Sequence, residues 1–241
     1  MTLLTVDEEL HVWLIELEGH GDPNPPLDET LSSEEKLRAV RFVSERDRRC
    51  FVVAHSALRQ ILSMYVGVSP SAIVFEIGRY GKPALCGVPG TKIRFNLSHS
   101  GAVALCAIAS DCDVGVDIEQ IQSPDVVVGV AEQFFSAAEQ RLLAGIDVDA
   151  RAEAFTRVWV RKEACLKAAG RGISGDVSGF SVTLDDTDVS VPTSDERGAI
   201  WALRELVAPR GYFAAAATSV PLPVRAWRFG DLQSPARTAT P

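Results

Sequence analysis

The chain has 241 residues, of which 46% are hydrophobic and 23% charged, an ordinary globular composition with room for one large domain or two small ones. A formal net charge of −8 argues against general nucleic-acid binding, which normally needs a basic surface. No stretch approaches the roughly 18 apolar residues of a membrane span, and the N-terminus lacks a basic signal region, so we expect a cytoplasmic protein without a membrane partner. The 5 cysteines are scattered without a Cys-x-x-Cys pair, which favours reduced thiols.

The first half of the chain predicts a strand, a long helical region and four further strands. After the strand "HVWLIEL" and a Pro-rich loop, apolar residues recur at helical spacing from about Ser32 to Tyr65, and Ser32 can form a capping box with Glu35. Strands follow at "AIVFEI", "IRFNLS", "AVALCAIA" and "VGVDI". Only four polar residues separate the last two strands, so we expect these to form an antiparallel hairpin.

The second half repeats this order of helices followed by strands. Helices are predicted near 126–135, 137–143 and 150–169, and strands at "FSVTL", "IWALREL", "YFAAAAT" and "VRAWRF". The glycine-led strand "GAVALCAIAS" also resembles "GYFAAAATS". We therefore predict an α+β fold of two similar halves, 1–118 and 119–230, followed by a disordered tail at 231–241.

The segment "VDIEQI" places two acids two residues apart among apolar neighbours. Alternate side chains of a strand point to one side, so Asp117 and Glu119 should project together while Val116 and Ile118 face the core. Two such carboxylates repel each other unless a cation lies between them, and Mg²⁺ prefers oxygen ligands together with substrate phosphates. The other interpretation is a strand end that reaches solvent.

A predicted helix carries a third acid. In "FTRVWVRKEACLKAAG", Trp159, Glu163 and Lys167 are four residues apart and therefore share one helical face. Such a Glu–Lys pair can simply stabilise a surface helix. Alternatively, Glu163 is a further metal ligand and Lys167 neutralises a phosphate.

Two upstream segments carry further polar candidates. "RFNLSHSG" ends a strand with Ser98 and His99, which either bind a phosphate oxygen or are an ordinary turn hydroxyl and surface imidazole. "GRYGKP" holds Lys82 between glycine and proline, which by itself indicates a turn. The chain has no Gly-x-x-x-x-Gly-Lys-[Ser/Thr], Gly-x-Gly-x-x-Gly or Gly-x-Ser-x-Gly motif, so P-loop, Rossmann and α/β-hydrolase enzymes lose support.

Taken together and in this order, "GKP", "FNLSHS", "GVDIE" and "WVRKEACLKAAG" resemble the 4′-phosphopantetheinyl transferases of the Sfp type. With "EEKLRAVRF" and "FFSAAEQ", the resemblance spans about residues 34–173. It implies a monomer of two α+β halves related by pseudo-twofold symmetry, with coenzyme A bound between them and Mg²⁺ or Mn²⁺ as cofactor. The implied reaction transfers 4′-phosphopantetheine from coenzyme A to a serine of an apo carrier protein of a nonribosomal peptide, polyketide or fatty-acid synthase, releasing adenosine 3′,5′-bisphosphate.

The resemblance also implies roles for individual residues. The metal ligands would be Asp117, Glu119 and Glu163, the coenzyme A-binding residues would be Arg38, Lys82, Ser98, His99 and Lys167, and the catalytic residues would be Glu163 and Lys167. Glu163 is the candidate base, acting directly or through water. Arg41, Arg48, Arg49 and Arg79 compete with Arg38 for the 3′-phosphate, and Glu35 stands where some relatives have a basic residue.

Two other functions would use the same side chains. One is a Mg²⁺-dependent nucleotide phosphohydrolase, which has no protein acceptor. The other is a non-catalytic protein that binds coenzyme A or a carrier protein, although the presence of all three acids and Lys167 counts against it. The resemblance places the carrier contacts in "AAGRGISGDVSGF", which follows Lys167.

Overall fold

A computed structural model describes residues 3–18, 27–170, 177–185, 188–191 and 199–231 of the chain. The strands are β1 (Leu10–Glu16), β2 (Val74–Ile77), β3 (Pro83–Cys86), β4 (Ile93–Ser100), β5 (Val103–Ser110), β6 (Val114–Gln120), β7 (Asp188–Val191), β8 (Ala199–Leu206), β9 (Tyr212–Thr218) and β10 (Val224–Arg228). The helices are α1 (Leu27–Thr30), α2 (Ser33–Ala39), α3 (Glu45–Val66), α4 (Pro124–Phe134), α5 (Ala137–Ala144) and α6 (Val148–Ala168), with a short 3₁₀ helix at Pro70–Ala72. Among these described helices, none is long and apolar enough to cross a bilayer.

The described strands form two four-stranded sheets and one two-stranded sheet. The first sheet has the order β10-β1-β5-β4, in which β10 runs parallel to β1 and the other pairs are antiparallel. The second sheet has the order β6-β9-β8-β7 and is antiparallel throughout. A short antiparallel pair, β2 and β3, stands apart from both sheets.

The two large sheets pack face to face between two long helices. Helix α3 buries apolar side chains such as Ile61 against the outer face of the first sheet, where Trp13 lies. Helix α6 does the same on the second sheet, where Val158 packs with Leu203. A third apolar cluster, which includes Val116, fills the space between the sheets. This arrangement of helices and sheets confirms the predicted α+β class; a twofold relation between the halves stays a prediction.

The predicted hairpin between β5 and β6 is wrong. Both edges of β5 are already paired, one with β1 and the other with β4, so β6 has no edge of β5 to bind. The chain instead passes from the first sheet to the second at 111–113, and β6 pairs with β9. The predicted division between 118 and 119 falls inside β6, which lies wholly in the second sheet. Strand β10, although from the C-terminal half, pairs with β1 in the first sheet.

Other local predictions are partly correct. The capping box of Ser32 and Glu35 is confirmed, but the long helical region is two helices, because Ser44 caps a new helix, α3, through its side chain. The segment "FSVTL" is not a strand, since the Val182 amide hydrogen-bonds a side chain, the Glu139 carboxylate, instead of a neighbouring strand. The segment between the predicted strands "AIVFEI" and "IRFNLS" contains a further strand, β3. Most of the predicted disordered tail, 232–241, lies outside the described residues.

Candidate functional site

The acidic pair of "VDIEQI" lies on β6, at an edge of the second sheet. The side chains of Val116 and Ile118 point into the core between the sheets, while Asp117 points to the opposite face, which α6 covers. The edge of β6 that faces the first sheet is covered by β4 side chains, because Asn96 Oδ1 accepts the Val116 N–H at 2.8 Å. Strand β6 is thus held between β4 and α6. The predicted alternation is therefore present, and its polar side faces a helix instead of bulk solvent.

Gly115 allows α6 to approach β6 unusually closely. A Cβ atom at this position would lie 2.1 Å from the carbonyl oxygen of Ala164 and 2.3 Å from the amide nitrogen of Ala168. Both are backbone atoms of α6, so no side-chain movement could make room. The missing side chain therefore brings the helical face of Glu163 and Lys167 up to Asp117. Sequence reasoning assigned Gly115 no role, although its place in "GVDIE" directly before the acids was the available signal.

A compact hydrogen-bonded group links α6, β4 and β6. The ammonium of Lys167 donates to Asp117 Oδ1 at 2.5 Å and to Ser98 Oγ at 2.9 Å. The Ser98 hydroxyl donates to the same Asp117 oxygen at 2.7 Å. Lys167 thus pairs with an acid on another element. The interpretation as a solvent-facing strand end is wrong, because Asp117 is only 1% exposed, and the interpretation as a surface Glu–Lys pair is wrong, because Glu163 is only 6% exposed.

Two carboxylate oxygens of this group have no hydrogen-bond partner among the described residues. Asp117 Oδ2 and Glu163 Oε1 are buried and unsatisfied, a costly state for acceptors that carry charge. Burial is also the main reason why the pKa of Asp117 is raised, although Lys167 opposes this rise. Burial first, and the nearby Asp117 charge second, raise the pKa of Glu119 to about 7 and that of Glu163 to about 7. The raised pKa values of these three carboxyl groups show that burial and their mutual repulsion disfavour their ionised forms, even with the Lys167 ammonium nearby.

The unsatisfied oxygens fit a hard divalent cation. In the described part of the chain, no group of three or more His, Cys, Asp or Glu side chains is arranged to hold a metal ion by itself. Mg²⁺, however, usually binds through one or two carboxylates, and substrate phosphates and water complete its coordination. Asp117 Oδ2 and Glu163 Oε1 supply two such oxygens, so the donor set fits Mg²⁺ bound together with an anionic substrate.

These side chains line a cavity of about 300 Å³. Its walls are Leu97, Ser98, His99, Asp117, Glu119, Trp159, Glu163 and Lys167. The structure thus brings together six of the predicted site residues. The cavity holds the carboxyl groups of Asp117, Glu119 and Glu163 beside the Lys167 ammonium, an arrangement that can bind a metal and the anion it neutralises.

A second cavity of about 690 Å³ adjoins the first, and we call it the α2–α3 groove because both helices line it, opposite β2 and β4. Leu97 and His99 line both cavities. Burial, followed by the charges of His55, Lys167 and Arg38, lowers the pKa of His99. Arg38 lines this groove. The four other described arginines that were candidates for the 3′-phosphate do not line it; these are Arg41, Arg48, Arg49 and Arg79.

Lys82 lies apart from the other basic candidates. Its ammonium donates to the carbonyl oxygens of Val114 at 2.9 Å and of Ala168 at 3.0 Å, which are the start of β6 and the end of α6. Burial lowers its pKa. Lys82 faces a different cavity, which Gly170 also lines, and the structure does not bring it to the Arg38 side of the α2–α3 groove. These two hydrogen bonds tie the start of β6 to the end of α6, and the contact of Lys82 with coenzyme A stays a prediction.

Comparisons with known proteins agree with this geometry. A family profile described as "4'-phosphopantetheinyl transferase superfamily" matches residues 113–217, and one described as "4'-phosphopantetheinyl transferase, N-terminal" matches residues 27–113. The two matches meet at residue 113, where the chain passes between the large sheets.

Full-length relatives point to the same family. The chain is 34% identical over 220 residues to the 4′-phosphopantetheinyl transferase HetI of a Nostoc species, covering 91% of this chain and 90% of that protein. It is 31% identical over 208 residues to the 4′-phosphopantetheinyl transferase Sfp of Bacillus subtilis, covering 81% of this chain and 90% of that protein. The chain therefore belongs to the 4′-phosphopantetheinyl transferase superfamily and is a transferase of the Sfp type.

Proposed function

We propose that this transferase moves the 4′-phosphopantetheine group of coenzyme A to a serine hydroxyl of an apo carrier protein, in a Mg²⁺-dependent reaction that releases adenosine 3′,5′-bisphosphate. The acceptors would be carrier domains of nonribosomal peptide, polyketide or fatty-acid synthases, and the enzyme would act as a cytoplasmic monomer. One observation carries the proposal. In the described part of the chain, Asp117 Oδ2 and Glu163 Oε1 are buried without hydrogen-bond partners, next to the ammonium of Lys167. These groups suit a divalent cation and a pyrophosphate together.

The binding roles follow from the charges. Asp117, Glu119 and Glu163 would hold Mg²⁺, or Mn²⁺ in its place, which would supply positive charge to the pyrophosphate oxygens as the leaving group gains negative charge. Lys167 would hold the same pyrophosphate with its ammonium, and its bonds to Ser98 and Asp117 already orient it for that task. Positioning and electrostatic stabilisation provide most of the catalysis in transfers of this kind.

Glu163 is suited to accept the proton of the serine hydroxyl. A pKa of about 7, which burial and Asp117 raise to that level, matches a base that works near neutral pH. The serine oxygen would bond to the phosphorus next to pantetheine while the pyrophosphate P–O bond breaks. The bonding electrons leave with adenosine 3′,5′-bisphosphate, and the serine proton goes to Glu163, directly or through one water.

The carrier protein would dock on the stretch "AAGRGISGDVSGF" after Lys167, where the resemblance to the family places its contacts. Residues 171–176 of this stretch lie outside the described residues, and Val177 and Phe180 beyond them are buried against the second half's core. The net charge of −8 does not favour acidic carrier proteins as partners. Docking would therefore depend on local apolar and basic surface instead of overall charge.

The test uses an apo carrier protein, coenzyme A and Mg²⁺, with intact-protein mass as the readout. We expect the carrier to gain one phosphopantetheine with the wild-type enzyme, and none with folded Asp117→Asn or Glu163→Gln variants. Glu153→Gln is the matched control, because Glu153 is an exposed acid on the same helix as Glu163. If the Asp117→Asn variant modified the carrier at the wild-type rate, the proposed metal site would be refuted. Nucleotide hydrolysis without carrier modification would instead indicate a phosphohydrolase. The absence of both reactions would indicate a binding protein.

A further inference from the structure

Strand β6, which carries the two acids, is an edge strand of the second sheet. The order β6-β9-β8-β7 leaves its other edge without a partner strand among the described residues. The Ile121 N–H bonds the Gly211 carbonyl oxygen beside β9 at 2.9 Å, so the backbone groups of Val116 and Gln120, an odd number of residues away, point to the other edge. These groups need partners from outside the sheet, because an unpaired backbone group away from water is costly.

Side chains of β4, in the first sheet, provide these partners. Asn96 Oδ1 accepts the N–H of Val116 at 2.8 Å, and Ser100 Oγ accepts the N–H of Gln120 at 3.1 Å. Ser98 lies between them on β4 and bonds the first acid of β6. The three β4 residues alternate along the strand and therefore share one face. The part of β6 that carries both acids is thus held at each end by the first sheet.

Two serines of β4 contact the two acids of β6 separately. The Ser98 hydroxyl donates to Asp117 Oδ1 at 2.7 Å. Burial and the Asp117 charge raise the pKa of Glu119, and a hydrogen bond from Ser100 opposes this rise. Because a carboxylate only accepts hydrogen bonds, Ser100 donates its hydroxyl proton to Glu119 while its oxygen accepts the backbone N–H of Gln120. The Ser100 hydroxyl thus joins the carboxyl group of Glu119 to the backbone of the next residue.

The two serines differ in their access to a ligand. Ser98 lines the smaller cavity and also accepts a hydrogen bond from Lys167. Ser100 is not among the described residues that line this cavity or the α2–α3 groove, whereas Glu119 lines the smaller cavity. An effect of Ser100 on ligand binding must therefore pass through another residue, and Glu119 is the acid that it contacts.

We propose that Ser100 is a positioning residue for Glu119, which it ties to β4 so that the Glu119 carboxyl group stays in the cavity shared with Asp117 and Glu163. This inference rests on the proposed Mg²⁺ dependence. Partners that hydrogen-bond a metal ligand from outside fix its orientation, and their loss weakens metal binding. The first half of the chain therefore helps to build a metal site whose ligands all lie in the second half.

The experiment is a calorimetric titration of Mg²⁺ into the enzyme with coenzyme A present and no carrier protein, so that no transfer occurs. A titration into coenzyme A alone is subtracted. We expect Ser100→Ala to raise the Kd for Mg²⁺ about tenfold. The Kd for coenzyme A in EDTA should stay unchanged, because Ser100 lines neither cavity. Ser100→Thr keeps the hydroxyl and should keep most of the Mg²⁺ affinity, and a loss as large as that of Ser100→Ala would refute the role of the hydroxyl.

A double-mutant cycle tests whether Ser100 acts through Glu119. In a Glu119→Gln background, Ser100→Ala should have little further effect on the Kd for Mg²⁺, because the carboxylate that Ser100 orients is already absent. A loss of the same size in both backgrounds would refute the inference.

The matched control is Ser44→Ala. Ser44 Oγ also accepts a backbone N–H, that of Asp47 at 3.2 Å, but it caps α3 and lines neither cavity. This variant should have a lower Tm and an unchanged Kd for Mg²⁺, and an equal loss of Mg²⁺ affinity would mean that both variants act only through stability, which refutes the inference. If wild type binds Mg²⁺ and Ser100→Ala binds it equally well, this inference alone fails. A wild-type enzyme that binds no Mg²⁺ would refute the proposed metal site as well.

Discussion

Gly115→Ala is the substitution whose effect follows most directly from the coordinates. The new Cβ would lie 2.1 Å from the Ala164 carbonyl oxygen and 2.3 Å from the Ala168 amide nitrogen, whereas ordinary contacts begin near 3.4 Å. Helix α6 would therefore have to retreat from β6 by about 1 Å, since both contacts are with its backbone. Overpacking of this kind costs about 3 kcal/mol, which corresponds to a fall in Tm of roughly 6–12 °C for a chain of this size.

The same displacement should impair catalysis more than its effect on stability suggests. Lys167 and Glu163 both lie on α6, whereas Asp117 lies on β6, so a shift of α6 separates the groups that must act together. A misplacement of about 1 Å can cost on the order of 100-fold in rate. We expect that loss in kcat for carrier modification, measured by intact mass at a temperature where the variant is folded.

Gly129→Ala is the matched control for this prediction. A Cβ on Gly129, in the described middle of α4, meets nothing within 4 Å. Alanine has the higher helix propensity, so this variant should keep wild-type activity and gain up to about 1 kcal/mol. A Gly115→Ala enzyme with the Tm and kcat of wild type would refute the close approach of β6 and α6, and with it the reason for the position of Lys167.

Three further predictions concern buried charges. Lys162→Met leaves the buried Glu139 carboxylate without its ammonium and should cost about 3–5 kcal/mol in chemical denaturation; a cost below about 1 kcal/mol would contradict this. Adding Glu139→Leu should restore only part of the loss, because the Val182 amide then has no acceptor. Burial and Asp117 hold the pKa of Glu163 at about 7 in the folded state, against 4.5 unfolded, so this carboxyl favours folding below about pH 4.5 and opposes it as pH rises through 7. Glu163→Gln should therefore raise Tm at pH 8 but not at pH 4.5, and parallel curves of Tm against pH for wild type and variant would contradict the raised pKa. Mg²⁺ should raise the Tm of wild type more than that of the variant. Lys82→Met removes the donor to two backbone carbonyls and should lower Tm without raising KM for coenzyme A, whereas a KM raised about tenfold or more would instead place Lys82 in contact with coenzyme A.

Several features could be predicted because they depend on neighbours within about four residues. The capping box of Ser32 and Glu35 needs only a helix start and the correct spacing, and it forms as predicted. The opposite faces of Val116 and Asp117 follow from the two-residue period of a strand. The shared face of Glu163 and Lys167 follows in the same way from the helical period.

The pairing of β6 shows where local patterns fail. A four-residue connection predicts a hairpin. A short segment does not show, however, that β1 and β4 already pair with both edges of β5. The chain distance between paired elements is long, since β6 pairs with β9, about a hundred residues later. Such pairing depends on which edges remain available after the whole sheet has formed.

The sequence by itself determined the residue types and the face on which each candidate side chain lies. Only the tertiary structure decided which of them meet. Lys167 could pair with Glu163 four residues away, but the close approach at Gly115 places its ammonium on Asp117, 50 residues earlier. The contact of Glu35 with His55 likewise joins two helices across a turn. The spacing of residues along one helix or strand sets the direction in which their side chains point. The distances between side chains on different elements depend on how those elements pack, and the chemistry of this site depends on those distances.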